Sequence, residues 1–348
     1  MIPVKTNLKA LGKAGLAEWI RAKGEKPYRA RQLWAWMVRK GASSFEDMTD
    51  LSREFRSLLS GCAEVGSLRL IRATASGAGG TRKFIWECPD GARVESVLIH
   101  EGDRKTVCVS SQVGCALGCA FCATGRMGFI RNLEAWEIAD QVIGVRRETG
   151  VQPTNIVVMG MGEPFLNYDN VMKAMDMVND PEGLAIGHRR ITLSTAGIVP
   201  GIERAGREGR PYKLAISLNA TRDGVRERIM PINRKYPMQA LLAAARDYSR
   251  RTGKRITFEY VLIRGVNDSK SDAARLLNLL EGVPCKVNLI PYNPAGGPFE
   301  RPDDGRVADF LEWIKPLASP VIVRWSRGVD IDAACGQLAG GDPKPEGR

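Results

Sequence analysis

Long apolar runs are what this sequence most plainly lacks. None can cross a bilayer, and the first residues carry no apolar core of a secretory leader. No membrane partner is therefore expected. No internal repeat is visible, so a stacked-repeat architecture is not expected either. The glycine turn Gly77-Ala-Gly-Gly80 is not followed by Gly-Lys-Ser/Thr, which removes a phosphate-binding loop. Gly160-Met-Gly162 has no third glycine, which leaves a dinucleotide fingerprint weak. Histidine occurs only 2 times in 348 residues, and no fourth Cys or His follows the cysteine cluster at 115–122 at ligand spacing. A structural zinc ion would normally require that fourth ligand.

What is present begins with charge. Lys and Arg number 51 against 39 Asp and Glu, a net +12 that favours a polyanionic partner such as nucleic acid. The length suits about two domains, each with its own core. The eight cysteines are spread through the chain, a usage that points to a reducing, cytoplasmic compartment.

Three of those cysteines, Cys115, Cys119 and Cys122, crowd into eight residues with C-x3-C-x2-C spacing. Glycines at 114, 118, 125 and 128 allow a loop tight enough to aim all three sulfurs at one centre. A cubane iron–sulfur cluster on three thiolates keeps one iron free for a small molecule, and a zinc site short of one ligand is the competing reading.

Residues 5–60 read as helical, with a break at Pro27-Tyr28 and a stop at Gly41. They hold 12 basic and 6 acidic residues, interleaved with Trp19, Tyr28, Trp34, Trp36 and Phe45. Basic side chains among aromatics suit RNA, although Trp34 with Met37, or Leu33 with Trp36, would equally form a buried stripe. From 65 to 100 the pattern is a β-meander with turns at 77–80 and 89–91. Beyond 105, strands are expected near 106–110, 155–160, 190–195, 213–219, 256–263, 286–291 and 321–326. A helix is expected over 134–147, from the repeat Ala135, Ile138, Ala139, Val142, Ile143. Such alternation means a parallel sheet with right-handed crossovers. The span 105–328 is 224 residues, short of the ~250 of a closed eight-stranded barrel, so the expected fold is α/β with a partial (βα)6 TIM-type barrel. The expected divisions are a helical RNA-binding domain at 1–62, a β-meander linker at 63–104, the barrel with a C-terminal active-site loop at 105–338, and a flexible tail at 339–348.

The motifs fall at the expected C-terminal ends of the strands, where such barrels place their sites. They are Met159-Gly-Met-Gly162-Glu163-Pro, Leu193-Ser194-Thr-Ala-Gly197, Ile216-Ser217-Leu218-Asn219-Ala220 and Ile290-Pro-Tyr-Asn293. A carboxylate after glycines can accept from an ammonium group, and short polar side chains suit ribose hydroxyls. Glu95 stands in an apolar strand, where an inward carboxyl would have a raised pKa suited to proton transfer. Cys108 lies on the strand entering the cysteine loop, and Cys335 lies in a loop after the last strand. Cys62, Cys88 and Cys285 read as inert core thiols.

With Phe121 before its last cysteine, the cluster resembles the signature of the radical S-adenosylmethionine (radical SAM) superfamily. From Tyr28-Arg-Ala-Arg-Gln to Ala334-Cys-Gly-Gln-Leu338, the whole chain resembles the RlmN/Cfr family of RNA methyltransferases within it. The resemblance implies a 4Fe–4S cluster on Cys115, Cys119 and Cys122. It implies S-adenosyl-L-methionine (SAM), two per turnover, at Gly162, Glu163, Ser194, Ser217, Leu218, Asn219 and Asn293. It further implies that Cys335 carries an S-methyl intermediate, that Glu95 is the base, and that Cys108 forms a disulfide with Cys335 on product release.

The implied substrates are adenosines of 23S ribosomal RNA at the peptidyl-transferase centre and of transfer RNA beside the anticodon. The implied partners are a flavodoxin-type electron donor and a thioredoxin-type reductant, acting on a monomer. Glu163-Pro164 and Leu289-Ile-Pro-Tyr292 resemble the branch that modifies carbon 2 rather than carbon 8. Carbon-8 methylation, and a non-catalytic zinc or cluster RNA-binding module, are the alternatives.

Overall fold

The structure is a computed structural model that describes residues 5–341. The tail expected over 339–348 lies, from residue 342 onward, outside the described residues.

One ten-stranded sheet organises the molecule. In chain order its strands are β1 (Arg69–Ala75), β2 (Thr81–Glu87), β3 (Arg93–Glu101), β4 (Arg104–Val109), β5 (Asn155–Val158), β6 (Ile191–Thr195), β7 (Lys213–Ser217), β8 (Ile256–Leu262), β9 (Cys285–Pro291) and β10 (Val321–Val323). They lie side by side in that same order. From β4 to β10 every neighbouring pair is parallel, whereas β1 to β4 pair antiparallel. The six strands β4 to β9 are the expected partial barrel. The three-residue β10 is a further edge strand, shorter than the expected 321–326.

The crossover helices take their faces from the same alternation. Residues Ala135–Thr149 form a helix opened by a capping box of Glu134 and Glu137 and closed at Gly150, whose φ of 68° favours glycine. It runs two residues beyond the expected end and buries Ile138, Ala139, Val142, Ile143 and Val145. The meander extends the barrel sheet itself, because Glu101 pairs with Arg104 and Val97 with Cys108. The division expected at 104/105 thus falls inside β4. Trp86 on β2 packs onto the Ala135–Thr149 helix where a Cβ on Gly144 would lie 2.7 Å from its ring.

The N-terminal region is helical over Gly12–Ala22, Tyr28–Trp34 and Arg53–Cys62, with π-helical Ala35–Lys40 ending at Gly41. Leu33, Trp34, Met37 and Val38 are buried, so the aromatic stripe is largely core. Tyr28 stays exposed, with the Arg29 guanidinium 5.1 Å from its ring centroid. This region shares one continuous apolar core with the barrel. The fully buried Lys9 ammonium reaches Asp140 on the Ala135–Thr149 helix at 2.5 Å, and Trp34 donates to Asp180 at 3.1 Å.

Candidate active site

The cysteine loop is built on glycine. Gly114 has a φ of 73°, and a Cβ there would fall 1.9 Å from the Gly128 carbonyl oxygen. Gly125 lies against the Cys119 backbone, with a Cβ position 2.9 Å from both its N and its O. The close approach folds the chain back on itself, and the Cys115 amide donates to the Gly128 carbonyl at 2.8 Å. Cys115, Cys119 and Cys122 then line one cleft at the C-terminal ends of the barrel strands.

Gly162, Glu163, Ser194, Ser217, Asn219, Asn293 and Cys335 line the same cleft. Leu218, Cys108 and Glu95 do not. Leu218 is buried behind the rim, where its carbonyl accepts from Arg226 at 3.0 Å. Cys108 is buried on β4, with Cys335 and the Arg324 guanidinium as neighbours; burial pushes its thiol up to about 12. Glu95 is buried on β3 under the C-terminal loop and accepts from the Ala339 amide at 3.3 Å.

Glu163 is a buried carboxylate that accepts from the Phe165 amide at 3.0 Å and the Ala196 amide at 2.7 Å. Burial outweighs those bonds and raises it to about 6. Asn219 sits at φ 55°, a left-handed conformation that Asn tolerates, and its Oδ1 accepts from the Val261 amide at 2.8 Å. The Asn293 amide donates to the Cys335 carbonyl at 3.1 Å, while its buried Oδ1 has no partner among the described residues. The Ala123 amide donates to the Gly336 carbonyl at 2.7 Å. The Cys335 loop is therefore pinned across the cleft onto the cysteine loop, and Cys335 lines that cleft.

Four functional candidates had little or no sequence signal. Glu259 on β8 lines the cleft; its Oε2 accepts from Ser194 at 3.0 Å, and its buried Oε1 has no hydrogen bond among the described residues. Its position in the apolar run Ile256–Leu262 is the signal that singled out Glu95. Arg226, fully buried, donates to the carbonyls of Ala196, Ser217 and Leu218 and to Asn233 Oδ1. Arg324 lies 3.9 Å from Glu259, and Lys83 lies 3.7 Å from Glu95. Cys88 and Cys285 are buried and Cys62 half-buried.

The donor set fits an iron–sulfur cluster. Burial pushes Cys115 up to about 12, and Cys119 rises well above its ordinary value through burial and the charge of Cys122 and Cys115. Such thiols ionise against a strong local cation, which a metal centre supplies. Among the described residues no three His, Cys, Asp or Glu side chains gather at ligand distance of one ion. Among them, too, no helix is long and apolar enough to cross a membrane.

Residues 109–277 match the family described as the radical SAM superfamily, and residues 6–65 match the ribosomal RNA large subunit methyltransferase N-terminal domain. Fold and cysteine cleft thus define a radical SAM enzyme, a class that uses a 4Fe–4S cluster and SAM. A dual-specificity RNA methyltransferase RlmN from an Anaeromyxobacter species is 48% identical over 98% of this chain and 93% of its own length. The RlmN of Geobacter sulfurreducens is 48% identical over 96% of this chain and 92% of its own. The crystal structure of a radical SAM methyltransferase from Sphaerobacter thermophilus superposes with a TM-score of 0.93 at 46% identity, covering 97% of this chain and 100% of that one. The chain belongs to the RlmN family of radical SAM RNA methyltransferases.

Proposed function

We propose that this chain methylates carbon 2 of adenosine in 23S ribosomal RNA and in transfer RNA beside the anticodon. The observation that carries the reading is Cys335: a residue that lines the three-cysteine cleft, with a second thiol, Cys108, close behind it. Carbon 2 of adenine is not nucleophilic, so direct polar transfer of a methyl group to it fails. A carbon unit carried on a cysteine sulfur and activated as a radical can add to it.

Cys115, Cys119 and Cys122 would hold the 4Fe–4S cluster. Glu163 would accept from the ammonium of SAM, and Ser194, Ser217, Asn219 and Asn293 would contact its polar groups beside Gly162 and Leu218. Bound together, cluster and SAM supply a 5′-deoxyadenosyl radical. Cys335 carries the methyl group, and two SAM are used per turnover, one for methylation of Cys335 and one for activation. Glu95 takes the ring proton. The odd electron of the adduct would return to the oxidised cluster. Cys108 then attacks the Cys335 sulfur, losing its proton as the sulfur–sulfur bond forms. The sulfur–carbon bond breaks, its electron pair takes up a proton to complete the product methyl group, and a disulfide remains for a thioredoxin-type reductant. The basic N-terminal domain, residues 1–62, holds RNA phosphates, and an unstacked base has the exposed Tyr28 ring to stack on. A flavodoxin-type donor, a cytoplasmic setting and a monomeric state complete the reading.

Anaerobic reaction of the cluster-loaded protein with unmodified ribosomal and transfer RNA, followed by nucleoside mass spectrometry, tests the reading. 2-Methyladenosine that disappears with Cys335→Ala is expected. 8-Methyladenosine would reassign the position, and RNA binding without any methylated product would favour the binding-module alternative.

A further inference from the structure

Lys83 lies on β2, where Ile85 faces Glu95 and Lys83 faces Val97 across the β2–β3 pair. Side chains two residues apart share a face, so Lys83 and Glu95 are diagonal neighbours. Both side chains are nearly sealed from solvent, 10% and 1% exposed, with Nζ 3.7 Å from Glu95 Oε1. The same ammonium donates to the Asp332 carbonyl at 3.3 Å, and the other Glu95 oxygen accepts from the Ala339 amide. Two residues before Asp332 in the loop, Asp330 accepts from Ser76 Oγ at 2.8 Å and the Gly77 amide at 2.9 Å. The loop that bears Cys335 is thus bracketed by contacts with the meander at 330, 332 and 339.

We propose that Lys83 is a positioning residue: its ammonium keeps buried Glu95 in the carboxylate form and ties that carboxylate to the loop carrying Cys335. The proposal rests on the reading of Glu95 as the base. A base must be ionised to take a proton: the ring C–H bond breaks, its electron pair stays in the ring, and the proton ends on a Glu95 oxygen. The charged groups facing Glu95 are Lys83 on β2 and Asp332 on the loop. Burial is the largest influence and raises the carboxyl, Lys83 pulls it down, and Asp332 pushes it up. Removing the ammonium leaves burial and Asp332 opposed only by the backbone amides of Ala339 and Gly340. The carboxyl then stays protonated to higher pH, and the acid limb of the rate profile moves upward.

The test compares Lys83→Met, Lys83→Arg and Glu95→Gln in the full chain. In protein without cluster, carbon-13 glutamate labelling follows the Glu95 carboxyl through pH, its signal assigned by its absence in Glu95→Gln. In loaded protein, single-turnover methylation is measured over the same range. Expected in Lys83→Met is an upward shift of both titration and acid limb by about one pH unit or more, with Lys83→Arg close to the parent. An unshifted carboxyl titration in Lys83→Met, or a rate lowered equally at every pH, overturns the proposal. Product formation by Glu95→Gln would instead overturn the reading of Glu95 as base, while the titration would still report Lys83's hold on it.

Discussion

Any side chain larger than hydrogen at Gly125 would press on the amide and carbonyl of Cys119, backbone atoms that cannot swing aside. Gly125→Ala should therefore spread the cysteine loop and lower iron bound per chain several-fold after reconstitution, as iron and sulfide analysis would show. Fold stability, resting on a core elsewhere, should fall little. Glu163 gives a pH prediction. Its native carboxyl titrates near 6 against a reference of 4.5, so the folded chain holds that proton to higher pH than the unfolded one. Its contribution to stability is full below about 4.5 and is lost as pH rises through about 6, roughly 2 kcal/mol in all. Denaturant titrations of the cluster-free protein should show that decline, and Glu163→Gln should flatten it. The same substitution replaces a charged acceptor by a neutral amide and should weaken SAM binding by tenfold or more by calorimetry.

At the scale of elements, the site depends on how strand ends are tied to one another. Arg226 spans the ends of β6 and β7 by taking the carbonyls of Ala196, Ser217 and Leu218 at once. Lysine has no planar fork to match them. Arg226→Lys should lower the melting temperature and the SAM affinity together, and Arg226→Met should cost about 3 kcal/mol or more by leaving buried acceptors unpaired. The strands were legible because apolar runs such as Ile156-Val-Val158 alternate with helical periods, and the cysteine loop because spacing and glycines coincide. Arg226 was not legible: it sits in an ordinary short helix, Asp223–Ile229, and its role exists only once two distant strands are neighbours. Glu259 carried the same cue as Glu95, a carboxylate within an apolar strand, and takes its meaning from Ser194 on β6, one strand removed.

For the whole molecule, the N-terminal helices are anchored to the barrel by side chains with no sequence signature. A lysine at position 9 reads as solvated until Asp140 is found buried against it. Asp140 also accepts from the Leu68 amide at 2.7 Å, so one carboxylate joins the N-terminal region, the segment leading into the meander and the first crossover helix. Lys9→Met leaves that carboxylate uncompensated and should cost about 3–5 kcal/mol in chemical denaturation, with Lys9→Met/Asp140→Leu recovering part of the loss. The meander shows the same limit of sequence reading: its strands were legible as strands, but their continuity with the barrel sheet depends on the pairing of β3 with β4. That continuity places Lys83 and Glu95 beneath the Cys335 loop.

If the methyl group travels by way of Cys335, SAM bearing a trideuterated methyl group will leave a signature in the product. With unmodified RNA under anaerobic conditions, the 2-methyladenosine formed should retain two of the three deuterium atoms and gain one hydrogen, with no product from Cys335→Ala. A methyl group that arrives with all three deuterium atoms, or product that persists in Cys335→Ala, would contradict that route.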